Sequence, residues 1–160
     1  MRKKFITTIE ARMTSSRLPG KVLSTINDKT ILEILIERIR NSAFVKNIIV
    51  ATTTNKIDDE IEKCASKLGT CCFRGSENDV LGRLANALKD CEEEHVIQLT
   101  GDNPLIDPKI IDYMCEYYLI PDVNIDFLTN NGLMDLSQHF LPLGMDVSIF
   151  KRKDLIDIAK

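Results

Sequence analysis

The sequence predicts an α/β domain built on a mostly parallel central sheet with helices on both faces. Three observations carry this. Short β-branched apolar runs recur along the chain, amphipathic stretches of roughly ten residues separate them, and several of those stretches begin with capping signatures. Strands and helices alternating at that spacing make right-handed crossovers, and a sheet wound that way is covered on both sides.

Residues 5–10 begin with the apolar run Phe5-Ile6-Thr7-Thr8-Ile9 and read as a buried first strand. Thr30-Ile31-Leu32-Glu33 is a capping box, and Ile31, Leu35 and Ile39, with Leu32 and Ile36, follow at helical spacing. Asn47-Ile48-Ile49-Val50-Ala51-Thr52-Thr53 reads as the second strand. A helix is predicted over 58–68, stopped by Gly69 as its C-cap, and a third strand over 70–73. Ser76-Glu77-Asn78-Asp79 resembles another capping start, leading into a helix with Val80, Leu81, Leu84, Ala87 and Leu88 inward. Residues 95–100 form the fourth strand; Asp107-Pro108 then supplies an N-cap and a first-turn proline for a helix through Tyr117. Strand-like pieces recur over 125–129 and 145–150, and 152–160 reads as helical. Residues 121–144 are the least regular part, read as a long loop or small excursion.

With 160 residues, 44% hydrophobic and 28% charged, the chain has enough material for one globular domain, assigned to residues 1–160. A net charge of −3 excludes a generally basic nucleic-acid-binding surface. The charge is uneven: residues 1–21 hold six Lys/Arg (Arg2, Lys3, Lys4, Arg12, Arg17, Lys21) against Glu10 alone, while the rest hold 15 against 23 acidic residues. No apolar run approaches the roughly 20 residues of a membrane span, and no signal-peptide pattern opens the chain. Cys64, Cys71, Cys72, Cys91 and Cys115 are odd in number and lack CxxC spacing, so they are expected to be reduced, buried thiols of a cytoplasmic protein. His95 and His139 have no ligand pattern around them and are expected to be structural or surface residues.

In doubly wound sheets ligands bind beyond the carboxyl ends of strands. The loops after strands one, three and four hold the chain's three most unusual motifs. The first is Ala11-Arg12-Met13-Thr14-Ser15-Ser16-Arg17-Leu18-Pro19-Gly20-Lys21, where three cations and three hydroxyls sit around a Pro-Gly turn. Cations and turn N–H groups both favour phosphate oxygens, so the loop is expected to hold a polyanion such as a nucleoside triphosphate; the bland reading is a solvated basic turn. It is not a P-loop: Ser15 stands where the first glycine belongs and Val22 follows the lysine.

The second motif is Leu99-Thr100-Gly101-Asp102-Asn103-Pro104-Leu105-Ile106-Asp107. A carboxylate fixed between a glycine and a nearby proline at a strand end suits Mg²⁺, which takes one or two carboxylates plus phosphate oxygens. Asp102 is the metal candidate and Asp107 the helix cap, although Asp102 also fits an ordinary turn. The third motif is Phe73-Arg74-Gly75-Ser76-Glu77-Asn78-Asp79-Val80-Leu81. Ser76 and Asp79 fit as caps; equally, Gly75 and the helix-start N–H groups could approach a base or ribose, with Arg74 beside a phosphate or stacked.

Taken in this order, the motifs resemble those of the cytidylyltransferases that make CMP-activated acidic sugars, the acylneuraminate and 3-deoxy-manno-octulosonate cytidylyltransferases, and most of all the spore coat polysaccharide biosynthesis branch. The matching patterns are A-R-M-x-S-S-R-L-P-G-K-V-L, F-R-G-S-E-x-D-V-L and T-G-D-x-P-L-I-D; Gly144-Met145-Asp146-Val147-Ser148-Ile149-Phe150 is similar to a fourth, G-L-D-V-x-V-F. The resemblance runs over essentially all 160 residues. It implies a three-layer Rossmann-like nucleotidyltransferase fold and a reaction in which CMP passes from CTP to an acidic sugar with release of pyrophosphate, for cell-surface or spore-coat polysaccharide. By resemblance, Arg12 and Lys21, with Arg17, meet the phosphates and Ser16 belongs to the nucleotide site; the main chain around Ala11 and the segment Arg74, Gly75, Ser76 meet cytosine and ribose; Asp102 holds Mg²⁺; and Asp146 lies on the sugar side. Lys21, Arg12 and Asp102 are thus the expected catalytic groups. Family members run well beyond this length, so the C-terminal part of the family fold, which helps form the sugar pocket and the homodimer, is expected to be missing. Two other functions fit less of the sequence: a non-catalytic nucleotide-binding module, and a nucleotide-sugar glycosyltransferase, for which Asp122-Val123-Asn124-Ile125-Asp126 offers no convincing D-x-D motif.

Overall fold

A computed structural model describes residues 5–121, 124–131 and 144–160. The chain runs through β1 (Phe5–Glu10), β2 (Thr25–Ile26), β3 (Lys29–Thr30), α1 (Ile31–Ile39), β4 (Val45–Thr53), α2 (Asp59–Lys67), β5 (Cys71–Gly75), α3 (Val80–Leu88), β6 (His95–Thr100), α4 (Pro108–Tyr118), β7 (Phe127–Thr129), β8 (Ser148–Lys151) and α5 (Arg152–Ile158). Short 3-10 turns at Lys21–Leu23 and Lys56–Asp58 precede β2 and α2. The alternation read from the sequence is therefore present. His139 and most of the irregular stretch 121–144 lie outside the described residues.

Six strands form one sheet in the order β5-β4-β1-β6-β8-β7. β5, β4, β1 and β6 are parallel, while β8 pairs antiparallel with β6 and β7 with β8. Side chains alternate across β1: Phe5 and Ile9 enter one apolar cluster and Ile6 the other. The larger cluster takes Leu32, Leu35, Ile36 and Ile39 of α1, Ile61 and Ala65 of α2, and Ile111, Met114 and Cys115 of α4. The smaller takes Leu88 of α3 and Leu155 of α5 on the opposite face. Helices on both faces make three layers, as the period-2 and period-3.6 patterns require.

Local chemistry sets the element boundaries. Thr30 Oγ1 accepts from Glu33 N at 3.1 Å and Glu33 Oε2 accepts from Thr30 N at 3.4 Å, completing the capping box of α1. Asp107 Oδ1 accepts from Lys109 N at 2.9 Å in front of Pro108. Gly69, at φ 60°, ends the α2 segment in the left-handed conformation that glycine adopts without strain. The β2–β3 hairpin was not anticipated. Its turn residues Asn27 and Asp28 both have positive φ, the geometry that two-residue hairpin loops demand and that Asn and Asp tolerate.

Two expectations need correction. Val80 and Leu81 are half exposed rather than inward; the first turn of α3 lies beyond the carboxyl end of β5, so the inward stripe is covered only from Arg83 onward, through Leu84, Ala85 and Leu88. The thiols are free as expected but not uniformly buried: Cys115 is buried, Cys64, Cys72 and Cys91 are half-buried, and Cys71 on the edge strand β5 is exposed.

Candidate functional site

β1 lies inside the parallel part of the sheet. The chain leaves it toward β4 on one side and later returns to β6 on the other. The loops following β1 and β6 therefore diverge across a crevice at the carboxyl edge, the position where such sheets bind ligands. Gly101 brings the two strand ends together. Its N–H donates to Glu10 O at 2.8 Å, and a Cβ there would stand 3.0 Å from both Ala11 Cβ and Glu10 O. The missing side chain lets the end of β6 sit this close to β1 without displacing it, and it delivers Asp102 to the loop after β1.

That loop folds back on itself. Gly20, at φ 73°, donates its N–H to Met13 O at 2.9 Å, and buried Val22 anchors the 3-10 turn behind it. Met13 N donates to Asp58 Oδ1 at 2.8 Å, and the fully buried Asp58 also accepts from the Thr53 hydroxyl. The folded loop carries Lys21 Nζ onto the Asp102 carboxylate as a hydrogen-bonded ion pair. Burial pushes the Asp102 carboxyl up, but bonds from Lys21 and Thr100 outweigh it and hold the group below its ordinary value of 3.8.

Arg12, Ser16, Arg17, Lys21 and Asp102 line one pocket of about 200 Å³, together with Glu10, Ser15 and Val22. Five residues singled out in two separate motifs thus meet at one place. Ala11 does not line this pocket; it is buried beside Gly101. Asp146 lines a neighbouring pocket of about 360 Å³ with Gln98, Thr100, Thr129, Asn131 and Ser148. Gln98 Nε2 donates to Glu10 Oε1, so one hydrogen bond joins the walls of the two pockets. A larger depression of about 590 Å³ lies at the amino ends of β4 and β5, beside Arg40, Lys46 and Glu93, and holds none of the motif residues.

The third motif is placed differently. Arg74 does not line the pocket: Nε donates to Thr53 O at 3.0 Å, Nη2 to Asn55 O at 2.9 Å, and Nη1 bridges Asp59 and Glu62 at 2.7 and 2.9 Å. It fastens β5 to the end of β4 and the start of α2. Gly75 is needed by its neighbour, since a Cβ would lie 2.8 Å from Cγ of the buried Arg83, whose Nη1 donates to Ser76 O. The α3 cap is Asp79, whose Oδ1 accepts from Gly82 N at 2.8 Å, while Ser76 Oγ accepts from Asp79 N at 3.1 Å.

Sequence reasoning missed Glu77, Asp58 and Glu10 as members of the site. Asp58 looks like an ordinary helix-start residue, and Glu10 like the polar end of a strand. Glu77 does stand inside the third motif, three residues after Arg74, where it reads as part of a capping start.

A family model described as cytidylyltransferase matches residues 6–160. The chain belongs to the cytidylyltransferase family. It is 35% identical over 156 residues to the spore coat polysaccharide biosynthesis protein SpsF of Bacillus subtilis, covering 95% of this chain and 61% of that protein. It is 36% identical over 115 residues to the 3-deoxy-manno-octulosonate cytidylyltransferase of Solibacter usitatus, covering 70% of this chain and 44% of that one. Among solved structures, a cytidylyltransferase from Leptospira borgpetersenii superposes with a TM-score of 0.84 at 39% identity, covering 99% of this chain and 64% of the other. The 160 residues thus span about half to two-thirds of the length of these relatives. The nucleotidyltransferase fold expected from the motifs is the one this cytidylyltransferase has. Among the described residues no helix is long and apolar enough to cross a membrane.

Proposed function

We propose that these residues form the CTP-binding part of an enzyme that transfers CMP from CTP to an acidic sugar and releases pyrophosphate, in the synthesis of a surface or spore-coat polysaccharide. The observation that carries this reading is the meeting of Arg12, Arg17, Lys21 and Asp102 in one pocket at the β1–β6 crevice. Three cations and two serine hydroxyls match a triphosphate; membership of the cytidylyltransferases supports the base, and the similarity to a 3-deoxy-manno-octulosonate cytidylyltransferase supports the acceptor class.

The chemistry follows from charge. A sugar hydroxyl attacks the α-phosphorus of CTP and gives up its proton to solvent, the bond to the bridging oxygen breaks, and negative charge accumulates on departing pyrophosphate. Arg12 and Lys21 offset that charge, and the folded loop with Asp102 already holds Lys21 in place. Ser15 and Ser16 offer hydroxyls to the phosphate oxygens. Asp146, which lines the adjoining pocket with Gln98, Thr129 and Ser148, accepts hydrogen bonds from the acceptor's hydroxyl groups in this reading. In this reading the base and ribose meet the main chain around Ala11 and at Gly75 and Ser76, with Arg74 holding that segment in place rather than touching the ligand.

A divalent metal fits the donor set. Asp102 and Glu10 are the two carboxylates in the pocket, and no cluster of three or more acidic, Cys or His groups occurs among the described residues. One or two carboxylates completed by phosphate oxygens is how Mg²⁺ is commonly held, so Asp102 is proposed to hold it. Bound there, Mg²⁺ would polarise the phosphate oxygens and offset their charge.

The test is release of pyrophosphate from CTP and Mg²⁺ with a panel of acidic sugars. Release with at least one sugar is expected. Clear CTP binding with no release from any sugar would leave only a nucleotide-binding module.

A further inference from the structure

Glu77 stands just before α3 yet has no task in that helix, since Asp79 caps it and Ser76 closes the preceding turn. Its carboxylate instead reaches across the carboxyl edge of the sheet. Oε1 accepts from Thr14 Oγ1 and from Arg12 Nη1 at 3.4 Å, and Oε2 accepts from Asn55 Nδ2 at 2.6 Å. Asn55 is itself held by Arg74 Nη2 on its carbonyl at 2.9 Å, and by its N–H on Thr53 Oγ1 at 3.1 Å. The line Arg74–Asn55–Glu77–Thr14/Arg12 therefore ties together the loops after β5, β4 and β1.

Stability alone does not account for this contact. Arg12 and Glu77 are 49% and 30% exposed at their side chains, and an ion pair of that kind contributes little to folding. The carboxylate nonetheless has a donor on each oxygen, from Thr14 and Asn55, and the Oε1 so held lies 3.4 Å from Arg12 Nη1. We propose that Glu77 is a positioning residue of the nucleotide site, holding Arg12 and Thr14 of the phosphate loop against the segment that follows β5. This rests on the nucleotide reading above and adds that Arg12 binds phosphate well only while Glu77 steadies it. The bonds from Thr14 and Asn55 hold the Glu77 carboxyl below its ordinary value, so it stays an acceptor at neutral pH.

The test is a double-mutant cycle on CTP affinity, by calorimetric titration of the 160-residue chain in the presence of Mg²⁺. Glu77→Ala and Arg12→Ala are each expected to weaken binding about tenfold, and the double variant to bind within about twofold of Arg12→Ala alone. Glu77→Gln, which keeps an acceptor oxygen toward Thr14 and Arg12, is expected to recover most of the loss. Unchanged affinity in Glu77→Ala, or losses that add in the double variant, would overturn the proposal. Tighter binding would show that Glu77 competes with phosphate for Arg12, and overturns it equally. If Glu77→Ala does not fold, Asn55→Ala replaces it in the cycle with the same expectations. A wild-type chain that binds no CTP refutes the nucleotide reading itself, an outcome distinct from any of these.

Discussion

Lys21 and Asp102 are separated by 81 positions in the chain and meet as an ion pair at the carboxyl edge of the sheet. Neither residue is brought there by its own element alone. Lys21 arrives on a loop closed by Gly20 on Met13 and tethered by Asp58, and Asp102 arrives because Gly101 lets β6 press against β1. The pair is partly exposed, so its direct contribution to folding is below about 1 kcal/mol, and its value lies in what it positions.

Asp102→Ala is therefore expected to leave the fold intact and to abolish Mg²⁺-dependent turnover. Thermal denaturation and pyrophosphate release, measured on the same preparation, separate the two effects. An unfolded variant would make Asp102 a structural turn residue and end its assignment as metal ligand.

Gly101→Ala should be costly for a different reason. The added methyl would stand 3.0 Å from Ala11 Cβ and from Glu10 O, closer than a backbone oxygen can yield without moving the strand end. A loss of about 1–3 kcal/mol in urea denaturation is expected, together with weakened CTP binding, because the shift carries Asp102 away from Lys21. Wild-type stability would show that the strand ends do not touch as described.

Buried Glu93 accepts from Asn47 Nδ2 at 2.8 Å and pairs with Lys46 at 3.1 Å. Burial alone would raise its carboxyl, yet the bonds from Lys46 and Asn47 and a backbone bond hold it below the ordinary 4.5. A carboxyl lowered in the folded state stabilises above its unfolded value, and the contribution fades as pH falls through the folded one. Glu93→Gln should then cost about 1 kcal/mol near neutrality, and the difference from wild type should shrink below about pH 4. A difference independent of pH would refute the ionic part of the account.

The thiols should separate by environment. Cys71 is exposed, whereas burial pushes Cys72 up to about 11 and Cys115 higher still. A disulfide reagent at neutral pH is expected to modify Cys71 first and to reach Cys115 only on unfolding. Equal rates at Cys71 and Cys115, read by peptide mass, would contradict the burial pattern.

Much of this was legible in the sequence, because the fold writes itself in short-range signals. The capping box at Thr30–Glu33, the Asp107-Pro108 start and the β-branched runs are local and mark α1, α4 and the parallel strands directly. The phosphate loop was legible because its residue types are unusual together. What escaped was set by distant partners. Asp58 becomes part of the site only through Met13, 45 positions earlier, and Glu77 through Thr14 and Arg12, more than 60 positions earlier. Arg74 reads as a ligand-facing cation from its motif, and nothing local shows that Asp59 and Glu62 of α2 claim it. Val80 and Leu81 carry the right period, but periodicity cannot tell where the sheet beneath a helix ends.

The account stands most directly on one titration: CTP with Mg²⁺ against the wild-type chain and Lys21→Ala, beside UTP, GTP and ATP. It predicts that CTP binds at least about tenfold more tightly than the other three, and that Lys21→Ala loses at least about tenfold of that affinity. CTP binding that is no stronger than that of the other nucleotides, or that Lys21→Ala leaves unchanged, would contradict it.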